Sequence, residues 1–168
     1  MYKNIITMLL AASLVACATT DDQAMSAKDQ VAGLSKMCAD NASAIEARQK
    51  EKTFYIRLGE REGITQFSKN LYASHKANSK IGHMFANVPE QPFINNVIEL
   101  VVTASGGKGS YAGRDMTTVH KNLGVTHQDF LDAGADVQSV MKGLGYGDNE
   151  IQEMVCMLVS QVPQVVTR

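Results

Sequence analysis

The chain has 168 residues, a formal net charge of −1 and no tryptophan. Its charges are interspersed with no block of one sign, which argues against an electrostatic surface for nucleic acid. Past a short N-terminal leader, its length suits one domain around one core.

Lys3 and the apolar run at residues 5–16 have the form of a secretory signal. The run is shorter than the roughly 20 residues that cross a bilayer. It closes on Leu14-Val15-Ala16-Cys17, which resembles a bacterial lipobox. That resemblance implies export, lipidation of Cys17 and an anchor at the periplasmic face of a membrane. Each buried methylene of the acyl chains contributes about 0.8 kcal/mol. Ala18, standing where an inner-membrane retention signal often has aspartate, points to the outer membrane. An ordinary secretion signal cut near Ala16, or an uncut short anchor, fits the same residues. The expected organisation is a signal over 1–17, a polar tether with an extra helix over 18–52, and the main domain over 53–168.

With Cys17 assigned to lipid, Cys38 and Cys156 remain. In an oxidising compartment such a pair can bridge. The alternative is two unpaired thiols, with Cys156 inside an apolar helix. Pairing predicts that the extension docks on the last helix.

The pattern is helical throughout, so the fold class is all-α. Val31, Leu34, Met37 and Cys38 mark an extra helix within residues 26–50. The stretch "TFYIRLG" from Thr53 is a short apolar turn. Ile64, Phe67, Leu71 and Tyr72 form an inward arc on the next helix. An irregular piece ends at Pro89. Phe93, Val97, Leu100, Val101 and Ala104 then recur at helical spacing, with Pro92 suited to the first turn. Thr126 and Asp129 form a helix start signal ahead of Phe130, Val137, Val140, Met141 and Leu144. Asp148 is placed to cap the last helix, whose stripe is Ile151, Met154, Val155, Leu158, Val159 and Val162.

Between the third and fourth long helices lies a connection carrying Gly106, Gly107, Gly109, Gly113 and Gly124. Long connections of this kind are often functional. A flat apolar cofactor would fill the space beside it. Met116, Val119 and His120 stand at i, i+3 and i+4, on one face of a short segment, where a neutral imidazole is a common axial ligand for haem iron. On spacing alone, a histidine beside apolar residues is more often simply packed.

From about Thr53 onward the sequence resembles a truncated haemoglobin of group I. The resemblance runs in order through "FYIRLGEREGI", "LYASHK", "MF" and "ASGGKGSYAGRDMTTVHKNLGVTHQDF". It implies a two-over-two helical sandwich around haem b, with His120 as the proximal iron ligand. It implies Phe85 against the haem face, Tyr72 as the distal tyrosine, Phe93 and Val97 lining the distal side, and Leu100 and Val101 deeper. Met116 and Val119 complete the pocket, Asn96 lies at its edge, and Arg114 is a candidate partner for a propionate, with Lys108 and Lys121 weaker ones. Many group I members have a glutamine donor where Val97 stands, and valine cannot donate.

Each of these residues also has a plain structural reading. Tyr72 fits a core residue bonded to a backbone carbonyl, and Phe85, Phe93 and Val97 fit ordinary packing. His75 is expected on a solvated helix edge or, alternatively, as a second internal ligand. His83 and His127 are expected to face outward. The implied function is reversible binding of O2, NO and CO, with NO oxidation as a redox extension that requires a separate reductase. No nucleotide-binding glycine motif follows a strand. The alternatives are a cofactor-free helical lipoprotein acting as an interaction module, and a haem-based sensor or electron-transfer protein.

Overall fold

A computed structural model describes residues 24–168, and every described element is helical. The expected signal and Cys17 lie outside the described residues. The extension forms α1 (Ala27–Asp40) and α2 (Ala42–Glu51), and the main domain follows as α3 (Phe54–Arg57) and α4 (Glu60–Ala77). A 3₁₀ turn (Gly82–Phe85) leads to α5 (Glu90–Ala104), then α6 (Met116–His120), α7 (His127–Gly143), α8 (Asp148–Val159) and α9 (Val162–Val165).

Two pairs of helices carry the fold. Helix α4 packs on α5 and α7 packs on α8, while α4 also touches α7 and so joins the pairs. The buried face of α4 is Ile64, Phe67, Ser68, Leu71, Tyr72 and His75, an i, i+3, i+4, i+7, i+8, i+11 series. Ser68 joins this apolar face because its hydroxyl donates back to the Ile64 carbonyl at 2.8 Å. Opposite it stand Ile94, Ile98, Val101 and Val102 of α5. This is a correction to the expected α5 stripe. The helix is apolar on two adjacent faces. The fully buried one is set one residue on from Phe93 and Val97, which with Leu100 stay half-buried.

Two other expectations need adjustment. The extension is two helices rather than one, broken at Asn41, whose backbone N–H still bonds to Met37. The cap of α8 is Gly147, and Asp148 is its first residue, where a carboxylate favours the positive end of the helix dipole. The start of α7 is as expected: the Thr126 hydroxyl accepts from the Asp129 N–H, and the Asp129 carboxylate accepts from the Thr126 N–H.

Helix α1 lies against α7 and α8. Cys38 and Cys156 are joined by a disulfide with Cα atoms 5.4 Å apart. Below it, Glu153 of α8 is buried yet charged. It accepts from Arg57 at 2.5 Å and from the Gln49 amide, and Arg48 approaches within 3.7 Å. Gln49 in turn accepts from the N–H of Phe54 at 2.9 Å. Residues of α2, α3 and α8 thus share one carboxylate, as a buried charge requires.

The disulfide closes a span of 118 residues. Constraining so long a loop in the unfolded chain is worth roughly 2–5 kcal/mol. Replacing Cys38 by serine is expected to lower unfolding free energy by that amount in urea titrations, and adding Cys156→Ser is expected to cost little more.

Candidate functional site

Helix α6 has five residues, too few to be stable by itself. Its N-terminus is held by Asp115, whose carboxylate accepts from the N–H and the hydroxyl of Thr118 at 2.8 and 2.7 Å. Those bonds, led by the hydroxyl, hold the Asp115 carboxyl below the usual carboxylate range. Its other support is the C-terminal strap. Helix α9 packs on α6, and the N–H groups of Thr167 and Arg168 donate to the Val125 carbonyl at 2.8 and 3.2 Å. Gly124 makes the intervening turn at φ +63°, a conformation that costs glycine little.

On this platform His120 Nδ1 lies 2.8 Å from the Met116 carbonyl oxygen. A carbonyl only accepts, so Nδ1 carries a proton, and in the neutral tautomer this selects, Nε2 is the nitrogen with the lone pair. The ring is half-buried, as are Met116 and Val119 on the same face. A half-buried imidazole with one fixed N–H and one basic nitrogen is the arrangement that second-partner bonds produce at metal-ligating histidines.

A second cluster forms where α4, the 3₁₀ turn and α5 meet. The Tyr72 and Phe93 rings have centroids 5.5 Å apart, and Phe85 stands 5.6 Å from Phe93 in an edge-on arrangement. Val97 packs against the core one turn beyond Phe93. The Tyr72 hydroxyl donates to the Val88 carbonyl at 2.9 Å and accepts from Lys76 Nζ at 3.4 Å. The hydroxyl proton is therefore engaged by the backbone.

The remaining expected residues sort by exposure. Val101 is buried in the α4–α5 contact, and Leu100 is half-buried beside it. Arg114, Lys108, Lys121 and Asn96 are exposed. The Arg114 carbonyl accepts from the Tyr111 hydroxyl at 2.8 Å, fixing the glycine-rich approach to α6. His83 is exposed and His127 half-buried.

His75 corrects an expectation. Rather than sitting on a solvated edge, it is 6% exposed. It stands four residues after Leu71 and three after Tyr72, so the buried face of α4 carries it inward. Its Nδ1 donates to Asp136 of α7 at 2.8 Å, and its ring lies 5.0 Å from that of Phe85. The continued helical period was a signal for burial. Nothing local marked Asp136 as the partner.

No family model matches the chain. In sequence it is similar to the group 1 truncated haemoglobin of Tetrahymena pyriformis, at 24% identity over 104 residues. That match covers 62% of this chain and 86% of the Tetrahymena protein. The crystal structure of that truncated haemoglobin in its Fe(III) form superposes with a TM-score of 0.63 at 21% identity, covering 68% of this chain and 98% of the other. The fold is that of the truncated, two-over-two haemoglobins. A second truncated globin gives the same picture. The 2/2 haemoglobin of Synechococcus sp., solved in the cyanomet state with covalently attached heme, superposes with a TM-score of 0.62 at 21% identity, covering 69% and 99%. The Tetrahymena globin has also been solved with substitutions at a tyrosine and at two glutamines. At the same spacings after Tyr72 this chain has Phe93 and Val97, neither of which can donate a hydrogen bond.

Removing the Tyr72 hydroxyl leaves the Val88 carbonyl without this donor. Tyr72→Phe is expected to lower the unfolding free energy of the cofactor-free protein by about 1 kcal/mol, measured by denaturant titration.

Proposed function

We propose that this chain binds haem b and, through its iron, the diatomic gases O2, NO and CO. The observation that carries the reading is His120, with Nδ1–H bound to the Met116 carbonyl and Nε2 left basic on a segment anchored at both ends. The surrounding residues fit a flat apolar group. Phe85, Phe93, Val97, Leu100, Met116 and Val119 are all half-buried, with apolar surface that an apolar ring would cover. The similarity to truncated haemoglobins, including one solved with heme attached, supports the same assignment.

In this reading His120 Nε2 holds the iron, and haem iron supplies the site for a diatomic ligand. The bond from Nδ1 fixes the ring's tautomer and raises its basicity. Phe85, Phe93 and Val97 exclude water and offer no hydrogen to a bound gas. Tyr72 donates only by leaving Val88. Arg114, exposed at the approach to α6, is the candidate partner for a propionate.

Oxidation of NO by bound O2 is a further step of the same proposal, and it requires a separate reductase to return the iron to the ferrous state. The chain is proposed to be exported and held through a lipid on Cys17 at the periplasmic face of a bacterial membrane. The Cys38–Cys156 bond supports an oxidising compartment.

Hemin added to purified protein is expected to give an intense Soret band that sharpens and shifts on reduction under CO. His120→Ala is expected to abolish or displace that spectrum. Protein that stays colourless would leave a cofactor-free helical module as the reading. A second measurement concerns release. One missing hydrogen bond of about 1 kcal/mol changes an equilibrium roughly fivefold. Oxygen off-rates by stopped flow should therefore exceed those of relatives with two distal donors by about that factor or more. Equal rates would refute the donor-poor pocket.

A further inference from the structure

The cluster behind Phe85 has no role in the proposed binding of gas. His75 of α4 is buried, its Nδ1–H reaches Asp136 on α7, and its ring packs against Phe85 at 5.0 Å and Phe93 at 6.4 Å. One imidazole therefore touches or bonds to elements on both sides of the sandwich and to the 3₁₀ turn that carries Phe85. Asn78 donates to both oxygens of the same carboxylate at 3.0 Å, so Asp136 is fixed as well.

We propose that His75 and Asp136 form a proton-sensitive brace that positions Phe85, and with it one wall of the cofactor pocket. This rests on the haem reading above. His75 is a positioning residue: it acts through Phe85.

The brace works while the imidazole is neutral. A neutral ring donates once, to Asp136, and packs against the rings of Phe85 and Phe93. Protonation adds a charged N–H on Nε2, which has no acceptor among the described residues. With the side chain only 8% exposed, the charged ring is poorly hydrated, which is costly, so the ring moves toward water and Phe85 loses its support.

The charges around His75 do not cancel this cost. On α7, Asp136 favours the cation but is shared with Asn78, and Asp132 is paired with Lys80 at 2.7 Å. On α4, Lys76 lies over the Tyr72 ring and opposes a second positive charge. On the 3₁₀ turn His83 is exposed, and α5 presents only Phe93. Burial outweighs the Asp136 bond and lowers the His75 pKa below its ordinary value. The sign follows. The unfolded chain takes up the proton first, near pH 6.5, so the brace contributes fully above that pH and is lost as pH falls below it.

The test compares the full chain with His75→Gln and His75→Ala. Glutamine still donates to a carboxylate and does not titrate; alanine does neither. Hemin-loaded protein is mixed with excess of a high-affinity haem scavenger, and the Soret change gives the loss rate from pH 7.5 to 5.5. Wild type is expected to speed up about tenfold over this range and His75→Gln by about threefold or less. His75→Ala should lose hemin fast throughout. Any pH dependence that does not arise at residue 75 is common to all three and cancels in the comparison. Urea unfolding of the cofactor-free proteins across the same range gives a second readout, with wild type losing stability toward acid more steeply than His75→Gln. Failure of wild type to bind hemin would overturn the haem reading and leave the unfolding slopes to decide the brace. Parallel pH profiles for wild type and His75→Gln, in hemin loss or in unfolding, would overturn the brace itself.

Discussion

A backbone carbonyl can accept a hydrogen bond but never give one, and the site rests on that fact. Because the Met116 oxygen accepts from His120 Nδ1, the neutral imidazole is held in one tautomer, with Nε2 as its basic nitrogen. A five-residue helix would not hold that geometry alone. The Asp115 cap fixes its start, and the C-terminal strap bonded to Val125 fixes its other side. The last residues of the chain thus serve a histidine that precedes them by more than forty positions.

The same rule governs the other side of the cluster. Tyr72 gives its proton to the Val88 carbonyl, and its neighbours Phe93 and Val97 have none to give. The two apolar faces of α5, one buried and one half-buried, explain why such residues can stand there without weakening the fold. Ile94, Ile98, Val101 and Val102 do the packing against α4. Phe93, Val97 and Leu100 stay half-buried beside this core face, with Phe93 and Val97 packed against its edge. The polar groups of this cluster are thus engaged chiefly with the main chain.

The extension is part of the folded body. Its disulfide to α8 and the contacts of Glu153 with Arg57, Gln49 and Arg48 tie it to the base of the sandwich. Charge burial on this scale is tolerated because several donors converge on one carboxylate. It also couples the start of α3, through Gln49 and Phe54, to the last long helix.

The sequence by itself determined the all-helical class, the capping box at Thr126 and the inward arc of α4, since these depend on neighbours within one or two turns. Its ordered run from the glycines to His120 also carried the resemblance to truncated globins. Only the tertiary structure decided which face of α5 is core, because a helix apolar on two sides has no preferred face until a partner chooses one. The same holds for His75 and Asp136, which are 61 residues apart. Helical period could place His75 inward. Its partner, like the bond of Tyr72 to Val88, exists only because α4, α5 and α7 are brought together, and no local spacing encodes a contact between separate helices.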